Sequence, residues 1–191
     1  MPSTIVVTGP EASGSRLCAR VIAHVLEVCE FGKWAGFNWA PDCAERPCFV
    51  NDYAVLHRST PYRDGQVLDP EKLADEHENL SFVFTTRDKN ISRARRGYTK
   101  QEHEKWIRAN RELIEWVTGR GLAHYFFSYE SCMLYPEICT RRLYAFLGVQ
   151  SDFVPPLRDG NRKYIRGKLS VAITRLPSRL ASLLGKGKRR A

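Results

Sequence analysis

The stretch Thr4-Ile5-Val6-Val7-Thr8-Gly9-Pro10-Glu11-Ala12-Ser13-Gly14-Ser15-Arg16 decides the fold. Its first five residues are all β-branched, and the run is too short for a helix, so it reads as a buried parallel strand. Gly9-Pro10 ends that strand in a turn. From Ser15 to Cys29 the apolar residues Leu17, Val21, Ile22, Val25, Leu26 and Val28 recur at helical spacing and form one stripe. Strand, glycine-bearing turn and helix, in that order, open a βα unit.

Outward from this unit the alternation continues. A second strand is predicted over Tyr53–Leu56, ending at His57-Arg58-Ser59-Thr60-Pro61. Asp69-Pro70-Glu71 reads as a helix start, with aspartate capping and proline at the first position. Leu80–Thr86 is a third strand, followed by Arg87-Asp88. Thr99–Thr118 is a long amphipathic helix whose inner face is Trp106, Ile107, Leu113, Ile114 and Val117. Ala123–Ser128 is a fourth strand, and Tyr135–Leu147 a helix closed by Gly148. Phe31–Cys48, with Trp34, Phe37 and Trp39, reads as a loop. This order predicts an α/β fold of three layers, a mostly parallel central sheet flanked by helices. Residues 1–166 make that domain, and residues 167–191 a basic amphipathic tail.

The turn after the first strand lies where ligands bind in such sheets, beyond the carboxyl end of a strand. Backbone N–H groups there, with the positive end of the following helix, favour phosphate. A nucleotide-kinase P-loop reads G-x-x-x-x-G-K-[ST], its Lys on the phosphates and its Ser/Thr on Mg²⁺. Gly9 and Gly14 have that spacing, but Ser15 stands at the lysine position and Arg16 at the metal-ligand position. A loop of this kind holds phosphate by backbone, hydroxyl and arginine, without a metal.

The chain of 191 residues is 43% hydrophobic and 11% aromatic, a globular composition large enough for one self-supporting core. Six cysteines (Cys18, Cys29, Cys43, Cys48, Cys132, Cys139) form no CxxC pair. They read as free thiols, and with no signal sequence recognised the expected location is the cytoplasm. The net charge of +9 is uneven: Arg158–Ala191 holds eleven Lys/Arg against one acid, and the remaining 157 residues hold nineteen against twenty. A specific nucleic-acid surface would spread that charge over the folded body, so none is expected.

The loop Pro10–Leu17 resembles the 5′-phosphosulfate loop of sulfotransferases that use 3′-phosphoadenosine 5′-phosphosulfate (PAPS). Phe82-Val83-Phe84-Thr85-Thr86-Arg87-Asp88 is similar to the strand and arginine that open that family's 3′-phosphate motif. Phe127-Ser128-Tyr129-Glu130, Tyr135-Pro136-Glu137 and Phe146-Leu147-Gly148-Val149 resemble the segment following its fourth strand. Asn161-Arg162-Lys163-Tyr164 resembles the basic stretch that closes over the nucleotide. The resemblance spans Thr4–Tyr164 and implies a P-loop NTPase-like sulfotransferase architecture. It departs from the family in lacking the loop lysine, for which Arg16 or Arg58 is the substitute, and in carrying Arg95 where the 3′-phosphate serine stands, with Ser92 nearer Arg87.

The resemblance implies sulfuryl transfer from PAPS to an acceptor hydroxyl, a carbohydrate being one such acceptor. Ser13, Gly14, Ser15 and Arg16 would hold the 5′-phosphosulfate; Arg87, with Ser92 or Arg95 and Arg162-Lys163, the 3′-phosphate. Arginines suit bidentate phosphate binding. His57, at the end of the second strand, is the candidate base, with Glu11 a second candidate. His24, His77, His103 and His124 have no motif context. Trp34, Phe37 and Trp39 either stack on a sugar or anchor their loop to the core. Two other readings stay open: a P-loop small-molecule kinase, and a non-catalytic nucleotide-binding domain.

In the tail, Leu169, Ile173, Leu176, Leu180 and Leu184 fall at helical spacing among Lys168, Arg175 and Arg179, before Lys186-Lys188-Arg189-Arg190. That pattern fits either an amphipathic helix on an anionic membrane surface, at the inner face, or a terminal helix packed on the body.

Overall fold

A computed structural model describes residues 3–27, 48–50, 53–62, 65–89, 91 and 98–157. Strand β1 (Ser3–Pro10) is the middle strand of the sheet, and helix α1 (Ser15–Val25) follows it. Then come β2 (Cys48–Val50), β3 (Tyr53–Thr60), α2 (Pro70–Glu76), β4 (Leu80–Thr86), α3 (Lys100–Gly119), β5 (Ala123–Ser128), α4 (Tyr129–Leu134) and α5 (Pro136–Leu147). The strand order is β2-β3-β1-β4-β5. β3, β1, β4 and β5 run parallel, while β2 lies antiparallel on β3 at one edge. The expected mostly parallel α/β sheet is therefore present, with one short antiparallel strand, at the end of the Phe31–Cys48 loop and just beyond it, that the sequence reading did not assign.

Period-two alternation sorts the strand residues into two cores. Ile5, Val7, Val55, Val83 and Phe127 face Leu17, Val21 and Ile22 of α1, with Leu143 and Leu147 of α5. Val6, Leu56, Phe82 and Phe84 face the other way, against Leu73 of α2 and Leu113 and Val117 of α3. β1 is thus covered on both faces, which is why its run is apolar throughout and not alternating. Each fully buried aliphatic or Phe side chain here contributes about 1.5–3 kcal/mol.

Local chemistry fixes the helix ends. Asp69 accepts hydrogen bonds from the N–H groups of Glu71 and Lys72, and Pro70 takes the first helical position. Thr99 and Glu102 form a reciprocal capping box at the start of α3. Gly148, at φ 70°, closes α5 in the left-handed conformation. The segment after β5 holds one more helix than expected: Tyr129–Leu134 is its own element, capped by Ser128, and α5 begins at Pro136.

β3 also runs further than expected, to Thr60, because it keeps its pairing with β1 up to Pro10↔Thr60. Ser92, Arg95, Arg162, Lys163, Trp34, Phe37, Trp39 and the boundary between 166 and 167 lie outside the described residues. Among the described residues, no helix is long and apolar enough to cross a membrane.

Candidate functional site

The carboxyl ends of β1, β3 and β4 converge on the loop Glu11–Gly14. That loop is tightly turned: Ala12 and Gly14 have φ of 67° and 95°, and Ser13 N–H donates to Pro10 O at 2.9 Å. Its two glycines are set by neighbours far along the chain. A Cβ on Gly14 would stand 2.7 Å from Cδ2 of Tyr129, and one on Gly9 would run into the Thr85 backbone carbonyl. Close approach, together with a left-handed φ at Gly14, requires glycine at both.

The loop's polar groups are tied to β4. Thr85 Oγ1 donates to Thr8 O at 3.0 Å, which leaves it to accept from Ser13 Oγ at 2.6 Å. Arg87 Nη1 donates to Ala12 O at 2.6 Å, and its guanidinium lies 4.2 Å over the Tyr129 ring. Asp88 N–H donates to Glu130 Oε1 at 3.1 Å, joining the end of β4 to α4. Glu11 accepts from the hydroxyl of Tyr98, just before α3, while its own N–H donates to Thr60 O at 2.9 Å.

α1 begins immediately after the loop. Its first turn, Ser15-Arg16-Leu17-Cys18, carries no acid, and the first intrahelical bond there is Cys18 N–H to Gly14 O at 3.0 Å. The N–H groups before it have no acceptor within the helix, so this end carries partial positive charge.

Register puts His57 beside Val7 and turns it toward α1, where its Nε2 lies 3.0 Å from Ser15 Oγ. His57 is 7% exposed, and burial lowers its pKa from 6.5 to about 4, with the Arg16 and Arg58 charges adding in the same direction. Its imidazole is therefore neutral at neutral pH. Arg58, the next residue, takes the opposite face: its guanidinium lies 4.7 Å over the Tyr62 ring, and Nη1 donates to His57 O at 3.1 Å. Arg16 is exposed.

The fold thus gathers Ser13, Gly14, Ser15, Arg16, His57, Arg58 and Arg87 at one end of the sheet. Three residues without an assigned role belong with them. Thr85 and Tyr129 stood inside quoted motifs; their signal was position, at the end of one strand and just after the end of another. The third is Arg20, buried in α1 one turn after Arg16, its pKa lowered to about 10 by burial and then by Arg16. An arginine inside an otherwise apolar stripe was its signal.

Four arginines, uncapped helix N–H groups and a neutral histidine beside a serine suit a phosphate or sulfate ester. No known family model matches the chain, and no curated protein matches it either. By its sheet the chain is a Rossmann/P-loop-like α/β protein, with four parallel strands and helices on both faces.

Proposed function

We propose that this chain is a PAPS-dependent sulfotransferase acting on an acceptor hydroxyl. One observation carries the reading: Arg87, at the end of β4, is bonded to a phosphate-type loop in which Ser15 and Arg16 replace the Lys and Ser/Thr that a kinase needs. An arginine there suits an ester phosphate beside the loop. The order of the motifs along the chain supports the same reading.

In this reading the N–H groups at the start of α1, with Ser13, Gly14, Ser15 and Arg16, hold the 5′-phosphosulfate. Arg87 takes the 3′-phosphate, with Ser92 or Arg95 and Arg162-Lys163. Transfer breaks the bond between sulfur and the phosphate oxygen and forms one from sulfur to the acceptor oxygen. Negative charge develops on the bridging oxygen, where the helix end with Arg16 or Arg58 stabilises it. The acceptor's proton passes to a base. His57, neutral at neutral pH but made a weaker base than a free imidazole by its burial, is the first candidate, and Glu11 the second.

The test is calorimetric binding of 3′-phosphoadenosine 5′-phosphate against ATP, each with and without Mg²⁺. Metal-independent binding of the former alone is expected. Arg87→Ala should then weaken it about tenfold or more, and its 3′-dephospho analogue far less. Preference for Mg·ATP would replace this reading with the kinase one.

A further inference from the structure

We propose that Cys139 is an oxidative modification site with Cys132 as its resolving partner, and that the disulfide between them loosens the phosphate loop through Tyr129. The two thiols sit on adjoining helices, Cys132 on α4 and Cys139 on α5, with Tyr135 at the junction. Both are free and buried. Cys139, and not Cys132, lines an open cavity of about 360 Å³, together with Tyr125, Ser131, Tyr135 and Arg142. A small polar oxidant therefore reaches the Cys139 sulfur first.

The electrostatics divide the pair in the same way. A hydrogen bond from the Cys132 thiol holds Cys139 below the ordinary thiol range, against the effect of burial, and Arg142 one turn on adds to the lowering. Cys132, as the donor and by burial, is pushed up. Cys18 of α1 packs in the same core, and burial raises it well above the ordinary range, so it takes no part. One thiol is the nucleophile and the other is held in reserve, the arrangement a redox-reactive pair needs.

The link to the loop runs through α4. Tyr129 opens that helix one turn before Cys132, and its ring leaves no room for a Cβ on Gly14 while Arg87 stacks on it. A disulfide brings two Cβ atoms to about 3.8 Å and fixes their relative direction. α4 is only six residues long, so drawing Cys132 onto Cys139 displaces Tyr129 with it.

The oxidant is a hydroperoxide. The Cys139 thiolate attacks one peroxide oxygen, the O–O bond breaks, and the departing oxygen takes a proton, leaving a sulfenic acid. Cys132 sulfur then attacks that sulfur, hydroxide leaves, and the Cys132 proton completes a water. Two thiols lose two electrons, and one peroxide is reduced by them. A dithiol reverses the step.

The consequence for binding rests on the sulfotransferase reading, but the chemistry at sulfur does not. The full chain is treated with hydrogen peroxide, digested without reductant and mapped by mass spectrometry. A Cys132–Cys139 bridge is expected, and in Cys132→Ser a dimedone adduct on Cys139. Oxidised protein should bind 3′-phosphoadenosine 5′-phosphate about tenfold more weakly, as loss of the Arg87–Tyr129 stack would give, with dithiothreitol restoring it. Bridges or adducts elsewhere with Cys139 untouched overturn the site, and a Cys132–Cys139 bridge with unchanged affinity overturns the link to the loop. Failure of the reduced chain to bind the nucleotide counts against the functional reading alone, since the wild-type mapping is judged without it.

Discussion

At the carboxyl ends of the strands, the two faces of one sheet are finished in opposite ways. On the α1 face the hydroxyls are partnered: Ser13 with Thr85, Thr85 with the Thr8 carbonyl, Ser15 with His57. On the α3 face, Thr8 Oγ1, Thr60 Oγ1, Asn110 Oδ1 and Trp106 Nε1 are buried and have no hydrogen-bond partner among the described residues. Alternation puts Thr8 and Thr60 on the same side as Val6 and Leu56, which pack on α3. Asn110 and Trp106 lie one and two turns before Leu113, toward the helix start. That start is at the strands' carboxyl end, because β5 sets out from the opposite end directly after α3 stops.

Each such orphan costs about 1–3 kcal/mol relative to a partnered group. The difference teaches that the loop face is built for stability and order, whereas the α3 face leaves stabilisation unused at the same height in the fold.

The largest break in this comparison comes from Gly14→Ala. A left-handed alanine whose Cβ meets the Tyr129 ring should cost about 3–4 kcal/mol, read as a lowered urea midpoint, because strain and overpacking add. A midpoint near wild type would mean that α4 yields easily and the loop face is not rigid.

Next comes acid. The folded chain refuses a proton on His57 that the unfolded chain accepts, so this contribution is complete above about pH 6.5 and is lost as pH falls toward about 4. Its size is on the order of 3 kcal/mol. Urea midpoints between pH 7 and pH 4 should fall less steeply in His57→Gln, and parallel profiles would remove His57 as their source.

The finest test sets two threonines against each other. Thr85→Val strips the Ser13 hydroxyl and the Thr8 carbonyl of their partner and should cost about 2 kcal/mol, whereas Thr60→Val removes an orphan and should be neutral or stabilising by up to about 1 kcal/mol. Calorimetric unfolding of both checks the pair. A loss at Thr60 equal to that at Thr85 would erase the contrast between the faces.

Much of this was written along the chain. The βα opening, the later parallel strands and the Asp69-Pro70 start depend on neighbours within a few residues, and pattern and capping preferences report such neighbours. β3 was foreseen only to Leu56, because His57-Arg58-Ser59-Thr60 looks like a polar loop; the strand continues because each of those residues is still paired with β1. Within the site, the candidates in the loop and at Arg87 could be picked from residue type and order. What tethers them could not. Ser13 and Thr85 are 72 positions apart, and Gly14 meets Tyr129 across more than half of the described chain. Contacts of that span come from topology and leave no local pattern. The extra helix Tyr129–Leu134 was missed for a nearer reason: six residues carry too few turns to show a period.

The bond from Arg87 to the Ala12 carbonyl has a bearing on energetics that its role as a tether does not express. The carbonyl is an intramolecular competitor of any anion that recruits the same guanidinium. Capture exchanges one bond for a stronger one, so the net heat is a difference between the two and smaller than a free arginine would give. The returning carbonyl also lowers the barrier to release of such an anion.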